Sequence, residues 1–272
     1  MRVLFTGHKG FLGRELIPGL QKQVKVIEYP YELADFKHLY NFVKEKRIDY
    51  VIHAAARGGR RTKIDTERTL MDNLTASINV LRLDIPTVSF CSGAIYGRQH
   101  SIYLATESQS LQRYPVDFYG QSKFIFRSYA SQFEHITFLR FFNVFGQTEG
   151  LDRFISYNLN RYKEGKPMTV YRNFIMDFFY VKDLLPILFD WLGGIKLPQD
   201  LNLVYSQKFS LIEICEIINQ LDRHNVPIEL LNTNEGIDYC GSGELLNSIN
   251  YEFVGVSKGI KELYLSQLPY DE

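Results

Sequence analysis

Cysteine is scarce in this sequence, with three among 272 residues, Cys91, Cys215 and Cys240, set far apart. So few scattered cysteines exclude a disulfide framework and a cysteine-rich zinc site, and the six histidines show no ligand spacing. We therefore predict no metal. The sequence also has no excess of positive or negative charge, because its 31 basic and 31 acidic residues cancel. This balance gives no electrostatic footprint for nucleic acid.

Long apolar runs are absent as well, so no segment is predicted to cross a membrane. The sequence shows no internal repeat and no low-complexity tract. Its first residues enter an apolar strand directly, without a charged leader and an apolar signal segment. Hydrophobic residues make up 45% of the chain, enough for a sizeable core. We expect a cytoplasmic protein that binds neither nucleic acid nor membrane.

Strand-like and helix-like segments alternate through the first half of the chain. Strands are predicted over residues 2–6, 24–28, 50–53, 87–91 and 137–142, and helices over 11–20, 36–46, 66–83 and 119–133. Later strands are expected over 177–181 and 201–204, with a helix over 184–192 between them. This alternation is typical of an α/β fold with a doubly wound parallel sheet, whose ligands bind at the carboxyl ends of the strands.

A glycine-rich segment links the first strand to the first helix. Gly7, Gly10 and Gly13 would let the backbone turn tightly and approach a diphosphate, while the first helix amides point at the anion. A lone glycine pattern is also found in ordinary strand–helix turns, but its place between a strand and a helix favours dinucleotide binding.

Tyr119 and Lys123 are four residues apart, so on a helix they lie on one face. An ammonium group close to a phenol favours the phenolate, and we expect it to lower the pKa of Tyr119. Such a tyrosine can serve as a general acid or base in carbinol–carbonyl interconversion. Ser92 lies at the end of a predicted central strand, where its hydroxyl could bind the same substrate oxygen. Each feature alone has a structural explanation, but their combination indicates a catalytic site.

Several motifs together resemble the extended short-chain dehydrogenase/reductases that act on nucleotide sugars, and within them the GDP-L-fucose synthases. The motifs are Thr6-Gly7-x-x-Gly10-x-x-Gly13, His53-Ala54-Ala55-Ala56, Asn73, Ser92 with Tyr96-Gly97, Tyr119-x-x-x-Lys123, Arg140-Phe141-Phe142-Asn143, and Asp177-Phe178-Phe179-Tyr180-Val181-x-Asp183. The resemblance implies a Rossmann-type domain with a small C-terminal substrate lobe. It also implies that Ser92, Tyr119 and Lys123 are the catalytic triad.

The same resemblance assigns binding residues. The cofactor would contact Gly7, Lys9, Gly10, Phe11, Leu12, Gly13, Glu28, Ala54, Ala55, Ala56 and Asn73, together with Tyr119 and Lys123. The sugar nucleotide would contact Ser92, Gly93, Ala94, Asn143, Arg153 and Arg172. Of these, Arg172 or Arg153 would replace a diphosphate-binding arginine, because Met176 occupies its usual position.

Departures from the family pattern narrow the expected chemistry. Gly93 and Ala94 stand where 4,6-dehydratases carry an acidic pair, so dehydration is not expected. The cysteine and histidine of the fucose synthases, which epimerise C3 and C5, align with Ala94 and Arg153. The resulting hypothesis is a reductase of a nucleotide-linked 4-keto-6-deoxy sugar or of a similar keto sugar. A C4 epimerase and a non-catalytic sugar-nucleotide-binding protein are the alternatives.

Cofactor choice depends on the end of the second strand. Glu28 could accept a hydrogen bond from the adenosine ribose and repel a 2′-phosphate, which favours NAD. Lys9 keeps NADP as an option. We predict a dinucleotide domain over residues 1–147, to which 177–205 return, and a substrate lobe over 148–176 and 206–272. The resemblance implies a homodimer, for which the helices over 66–83 and 119–133 are the candidates, although their outward residues could equally face solvent.

Overall fold

The structure is a computed structural model that describes residues 1–60, 64–222 and 224–268. Its strands are β1 (Arg2–Thr6), β2 (Lys25–Glu28), β3 (Tyr50–His53), β4 (Thr87–Ser92), β5 (Ile102–Ala105), β6 (Ile136–Phe141), β7 (Val144–Phe145), β8 (Met168–Val170), β9 (Phe179–Tyr180), β10 (Asp200–Leu203), β11 (Ile228–Leu230) and β12 (Tyr239–Gly241). Its α-helices are α1 (Phe11–Leu20), α2 (Phe36–Lys46), α3 (Glu67–Leu81), α4 (Phe118–Ala130), α5 (Phe154–Lys163), α6 (Leu184–Leu192), α7 (Leu211–Asn219), α8 (Glu244–Asn247) and α9 (Gly255–Leu265).

Six parallel strands form the central sheet of the described chain, in the order β10-β6-β4-β3-β1-β2. Apolar residues alternate between its two faces because successive side chains of a strand point in opposite directions. Phe5 and Ile52 pack with α1 and α6 on one face. Leu4 and Val51 pack with α2 and α3 on the other. The predicted doubly wound parallel sheet is therefore confirmed.

The carboxyl edge of the sheet brings the predicted motifs together. In the parallel register, Phe5 lies opposite Glu28, and Thr6 lies opposite His53. The next strand along the sheet, β4, ends at Ser92. The glycine loop after β1, the loop after β3 and Ser92 at the end of β4 therefore lie at the same edge of the sheet.

The C-terminal elements pack against the part of the sheet that contains β6. Their core side chains, which include Leu159 of α5, Ile214 of α7 and Leu263 of α9, belong to the same hydrophobic cluster as Phe126 of α4 and Phe138 of β6. The division into a dinucleotide domain and a substrate lobe stays a prediction. None of the described helices is both long and apolar enough to cross a bilayer.

One predicted strand is largely wrong. The sequence pattern predicts a strand over residues 177–181, but β9 has two residues and is followed by a 3₁₀ turn over Val181–Asp183. The Asp177 carboxylate instead accepts hydrogen bonds from the Lys208 ammonium at 2.8 and 2.9 Å and from the Gly241 amide at 2.8 Å. The backbone of this segment also pairs elsewhere, since Met176 forms a bridge to Tyr239 and the Asp177 amide donates to the Tyr239 carbonyl at 3.1 Å.

Candidate active site

The glycine loop lies close to the loop that follows β3. Gly7 has φ +76°, and a Cβ there would lie 2.7 Å from the amide nitrogen of Ala55. A Cβ on Gly13 would lie 2.2 Å from the carbonyl oxygen of His8. Helix α1 begins beyond the exposed Gly10 with no side-chain cap and no acidic residue in its first turn. The amides of Phe11 and Leu12 are therefore available to an anion such as a diphosphate.

We expect Gly7→Ala to weaken dinucleotide binding more than about tenfold, because the added methyl must push the Ala54–Ala55 backbone away. Titration of protein fluorescence with NADH measures this affinity. Gly255→Ala is the matched control, since Gly255 has φ +78° and nothing within 4 Å of an added Cβ. Equal losses of affinity in both variants would show that backbone strain alone is responsible.

Glu28 ends β2 beside the glycine loop. Its carboxylate oxygen Oε2 lies 3.8 Å from Nε2 of His8, and about half of its side chain, 49%, is exposed. The His8 Nδ1 atom is buried without a hydrogen-bond partner among the described residues. Lys9 is exposed. The position of Glu28 suits contact with an adenosine ribose, and that contact stays a prediction.

The loop after β3 is held by buried polar side chains. The Ala54 amide donates to the Thr6 carbonyl at 3.2 Å, and the Ala55 amide donates to the Thr6 hydroxyl at 3.4 Å. Asn73 accepts from the Arg57 amide at 2.8 Å and donates to the Arg57 carbonyl at 3.0 Å. The structure therefore gives Asn73 a role in shaping the loop, while Ala56 is exposed beside it.

Ser92, Tyr119 and Lys123 come together where β4 ends and α4 begins. Asp117 caps α4, since its carboxylate accepts from the Gly120 amide at 2.8 Å, and Tyr119 follows in the first turn. The Ser92 hydroxyl lies close enough to the Tyr119 phenol to lower the pKa of that phenol. The Lys123 Nζ atom lies 5.6 Å from the centroid of the Tyr119 ring. The three predicted catalytic residues thus share one corner of the sheet.

The expected lowering of the Tyr119 pKa by Lys123 is wrong for this structure. Burial raises the pKa of Tyr119 to about 12, and the Cys91 side chain adds to the increase. The nearby Ser92 hydroxyl and the charges of Arg98 and Arg153 oppose this increase in pKa. Lys123 instead donates a hydrogen bond to the Phe90 carbonyl at 3.1 Å, which holds its charge beside the strand.

Lys123 lies in a buried environment next to a neutral imidazole. Burial lowers the pKa of Lys123 itself. Burial and the Lys123 charge lower the pKa of the adjacent His53 to about 3, so this imidazole is neutral at physiological pH. His53 bridges the Thr6 hydroxyl at 2.8 Å and the Ser77 hydroxyl at 3.2 Å. It thereby joins the strand that precedes the glycine loop to α3.

The predicted substrate residues differ in burial and in the contacts that they make. Ala94 is 0% exposed, and the side of Gly93 is filled by Phe142 and by the Tyr239 hydroxyl, which would lie 2.8 Å from an added Cβ. These two positions therefore present little surface. Asn143 is half-buried and donates to the Asp177 carbonyl at 3.0 Å, which fixes the turn before β9.

Two arginines are predicted from the sequence to bind a diphosphate. The Arg153 Nε atom lies 3.2 Å from the Glu149 carboxylate, and the Arg153 charge is close enough to Tyr119 to lower the pKa of its phenol. The Arg172 Nε atom is buried and has no hydrogen-bond partner among the described residues. Arg153 therefore lies near the predicted catalytic residues, and Arg172 retains hydrogen-bonding capacity for a ligand.

Sequence reasoning missed two neighbours of the tyrosine. The guanidinium carbon of Arg98 lies 5.9 Å from the centroid of the Tyr119 ring. A Cβ on Gly59 would lie 2.8 Å from Cζ of Tyr119. Arg98 directly follows the Tyr96-Gly97 pair, and Gly59 directly follows the loop held by Asn73. Both lie beside recognised motifs, but only the fold brings them to Tyr119.

Comparisons with known proteins give a matching family model and a similar protein. The model of the NAD dependent epimerase/dehydratase family matches residues 3–192. The chain is similar to GDP-6-deoxy-D-talose 4-dehydrogenase of Aggregatibacter actinomycetemcomitans, with 24% identity over 294 residues that cover 98% of each chain.

Two solved structures share the fold. A GDP-mannoheptose C4 reductase from Campylobacter jejuni with NADP bound has a TM-score of 0.83 at 16% identity, and the match covers 97% of each chain. A UDP-glucose 4-epimerase from Thermotoga maritima with UDP-glucose has a TM-score of 0.76 at 17% identity, covering 97% of this chain and 98% of the other.

Proposed function

Because the chain belongs to the NAD dependent epimerase/dehydratase family, we propose that it reduces a keto group at C4 of a nucleoside-diphosphate sugar with NADH or NADPH. The observation that carries this proposal is the meeting of Ser92, Tyr119 and Lys123 beside the glycine loop at one edge of the sheet. The name of the Aggregatibacter relative, a 4-dehydrogenase of a GDP-linked 6-deoxy sugar, supports reaction at C4.

The triad supports proton transfer to the substrate oxygen. The phenol of Tyr119 would donate its proton to the oxygen that becomes an alkoxide as C4 receives the hydride. The Ser92 hydroxyl would donate a hydrogen bond to the same oxygen, and solvent would reprotonate Tyr119 afterwards. Because burial raises the pKa of Tyr119 to about 12, this group holds its proton at neutral pH. A proton donor is what reduction requires.

The residues present fit a dinucleotide. Gly7 and Gly13 have no room for a side chain, and the uncapped first turn of α1 offers amides to the diphosphate. Glu28 would hold the adenosine ribose, and Lys123 would hold the nicotinamide ribose. When bound, the reduced cofactor supplies the hydride, while the chain orients it and supplies the proton.

The nucleoside diphosphate of the substrate would lie on the lobe side of the triad. Arg172 has a buried Nε atom without a hydrogen-bond partner among the described residues, and its guanidinium can bind phosphate oxygens. Arg153 would contact the sugar, since its charge already acts on Tyr119. These two side chains support an anionic substrate attached to the reacting sugar.

A panel of GDP-, dTDP-, UDP- and CDP-linked 4-keto sugars tests the proposed function. The expected result is oxidation of one NADH or NADPH for each sugar reduced. The loss of absorbance of the reduced nicotinamide measures this oxidation. Interconversion of C4 isomers without net cofactor turnover would instead establish a C4 epimerase. Binding of the sugar nucleotides without either reaction would indicate a non-catalytic binding protein.

Glu28 is expected to set the cofactor preference. Glu28→Gln removes the charge that repels a 2′-phosphate, so the ratio of kcat/KM with NADPH to kcat/KM with NADH should rise about tenfold. Steady-state kinetics with both cofactors measure the ratio. Glu32→Gln is the matched control, because it removes the same charge from an exposed nearby position. An unchanged ratio in Glu28→Gln would remove this residue from cofactor selection.

A further inference from the structure

Arg98 joins two segments that are far apart in sequence. Its Nη2 atom donates to the Asp117 carboxylate at 2.7 Å, and its Nη1 atom donates to the Gly59 carbonyl at 3.3 Å. The side chain is largely buried, with 17% exposed. Such a partly buried guanidinium with two fixed acceptors has little freedom to move.

One of these acceptors sets the start of the helix that carries Tyr119. Asp117 is the N-cap residue of α4, and the same carboxylate oxygen that binds Arg98 accepts from the Gly120 amide at 2.8 Å. Because Tyr119 lies in the first turn, the position of its ring depends on this cap.

The other acceptor lies against the tyrosine ring. Gly59 has φ +80°, and a Cβ there would lie 2.8 Å from both Cε1 and Cζ of Tyr119. Its amide is held by the Asp65 carboxylate at 3.2 Å. The glycine backbone therefore covers the edge of the ring that carries the hydroxyl group, with no space for a side chain.

We propose that Arg98 is a positioning residue for Tyr119, which holds the phenol between the Gly59 backbone and the Asp117 cap and keeps a positive charge beside it. This inference rests on the proposed function, in which Tyr119 is the proton donor. It adds Arg98 to the residues that determine how Tyr119 acts, besides Ser92 and Lys123. It also explains the glycine at position 59, whose backbone contacts the Tyr119 ring.

The charges around the phenol come from several elements. Cys91 of β4 raises the pKa of Tyr119, whereas Arg98 and Arg153 lower it, and Lys123 lies one turn along α4. Removal of Arg98 leaves the Asp117 carboxylate without its guanidinium partner near the ring. The phenol should then become harder to ionise, because a stabilising cation is lost.

The first test measures the phenol itself in the full-length protein. A fluorinated tyrosine installed at position 119 has a more acidic phenol, and its ¹⁹F shift reports both ring environment and ionisation. Arg98→Met should raise the pKa of this group by about one unit. Arg98→Lys, which keeps the charge, should largely restore the pKa. Arg68→Met is the control, because Arg68 is an exposed arginine paired with Asp72, and it should change nothing.

The second test measures turnover of the keto sugar. Arg98→Met should lower kcat about ten- to hundredfold, because the proton donor is displaced, while NADH affinity stays near that of the parent protein. Arg98→Lys should recover only part of kcat, since an ammonium cannot bridge both acceptors in the same geometry.

Gly59→Ala tests the contact without removing a charge. It should lower kcat and shift the ¹⁹F signal, since the new methyl meets the ring. Gly165→Ala is its matched control, because Gly165 has φ +66° and nothing within 4 Å of an added Cβ. If Arg98→Met does not fold, Arg98→Lys and Gly59→Ala still test whether Arg98 positions Tyr119.

The outcomes separate the two proposals. If the parent protein reduces no keto sugar, the proposed function fails, and the ¹⁹F titration still tests the placement of the phenol. If the parent protein is active but the Arg98 and Gly59 variants keep its kcat, its phenol pKa and its ¹⁹F shift, the positioning role is overturned.

Discussion

Tyr119→Phe should reduce kcat for keto-sugar reduction by about 10²- to 10⁴-fold, since positioned proton transfer contributes that much to such a step. The substitution removes one oxygen atom and retains the ring that packs against Gly59. Cofactor binding should therefore change little. Single-turnover kinetics at saturating cofactor and sugar measure the chemical step directly.

Tyr129→Phe provides the matched control for this variant. Tyr129 lies on the same helix with 50% of its surface exposed, so loss of its hydroxyl should leave turnover unchanged. A Tyr119→Phe protein that keeps near-parental kcat would show that another group donates the proton.

Asp200→Ala should cause a large loss of stability, about 3–5 kcal/mol in the free energy of unfolding. Arg140 is 0% exposed, and its Nη2 atom donates to the Asp200 carboxylate at 2.5 Å. Arg127 donates to the same carboxylate from Nε at 2.8 Å. Removal of Asp200 leaves both guanidinium groups buried without their anion. Urea unfolding followed by circular dichroism measures the loss.

The same network supports the segment after Ser92. Arg140 donates to the Tyr96 hydroxyl at 3.2 Å and to the Asn202 side chain at 2.9 Å, and Tyr96 ends the 3₁₀ turn that begins beyond Ser92. Glu164→Ala is the comparison, because its ion pair with Lys166 lies at the surface and should contribute little. Similar unfolding midpoints for Asp200→Ala and the parent protein would contradict this account of the buried network.

The fold was largely predictable because local periodicity and alternation determine it. The helix expected over 184–192 has those bounds in the structure, as its apolar side chains recur on one buried face. The strand expected over 177–181 failed because the Asp177 backbone pairs with Tyr239 and the Asp177 carboxylate binds Lys208 and Gly241, all distant in sequence. Local patterns carry no information on such partners.

The candidate site was predictable where motifs lie at strand ends and helix starts. Ser92, Tyr119 and Lys123 meet as expected, and Glu28 lies beside the glycine loop. The direction of the Tyr119 pKa shift was not predictable from the sequence. Burial raises this pKa by more than the nearby cations lower it. The roles of Arg98 and Gly59 also depend on how three separate segments pack.

Transfer of deuterium to the sugar tests the central claim most directly. The protein would be given a keto-sugar nucleotide together with NADH or NADPH in which deuterium replaces both hydrogens at C4 of the nicotinamide, because an enzyme transfers only one of the two. The account predicts a product with one deuterium at C4 of the sugar and one equivalent of oxidised cofactor. A product that carries no deuterium, with the reduced cofactor still intact, would contradict it.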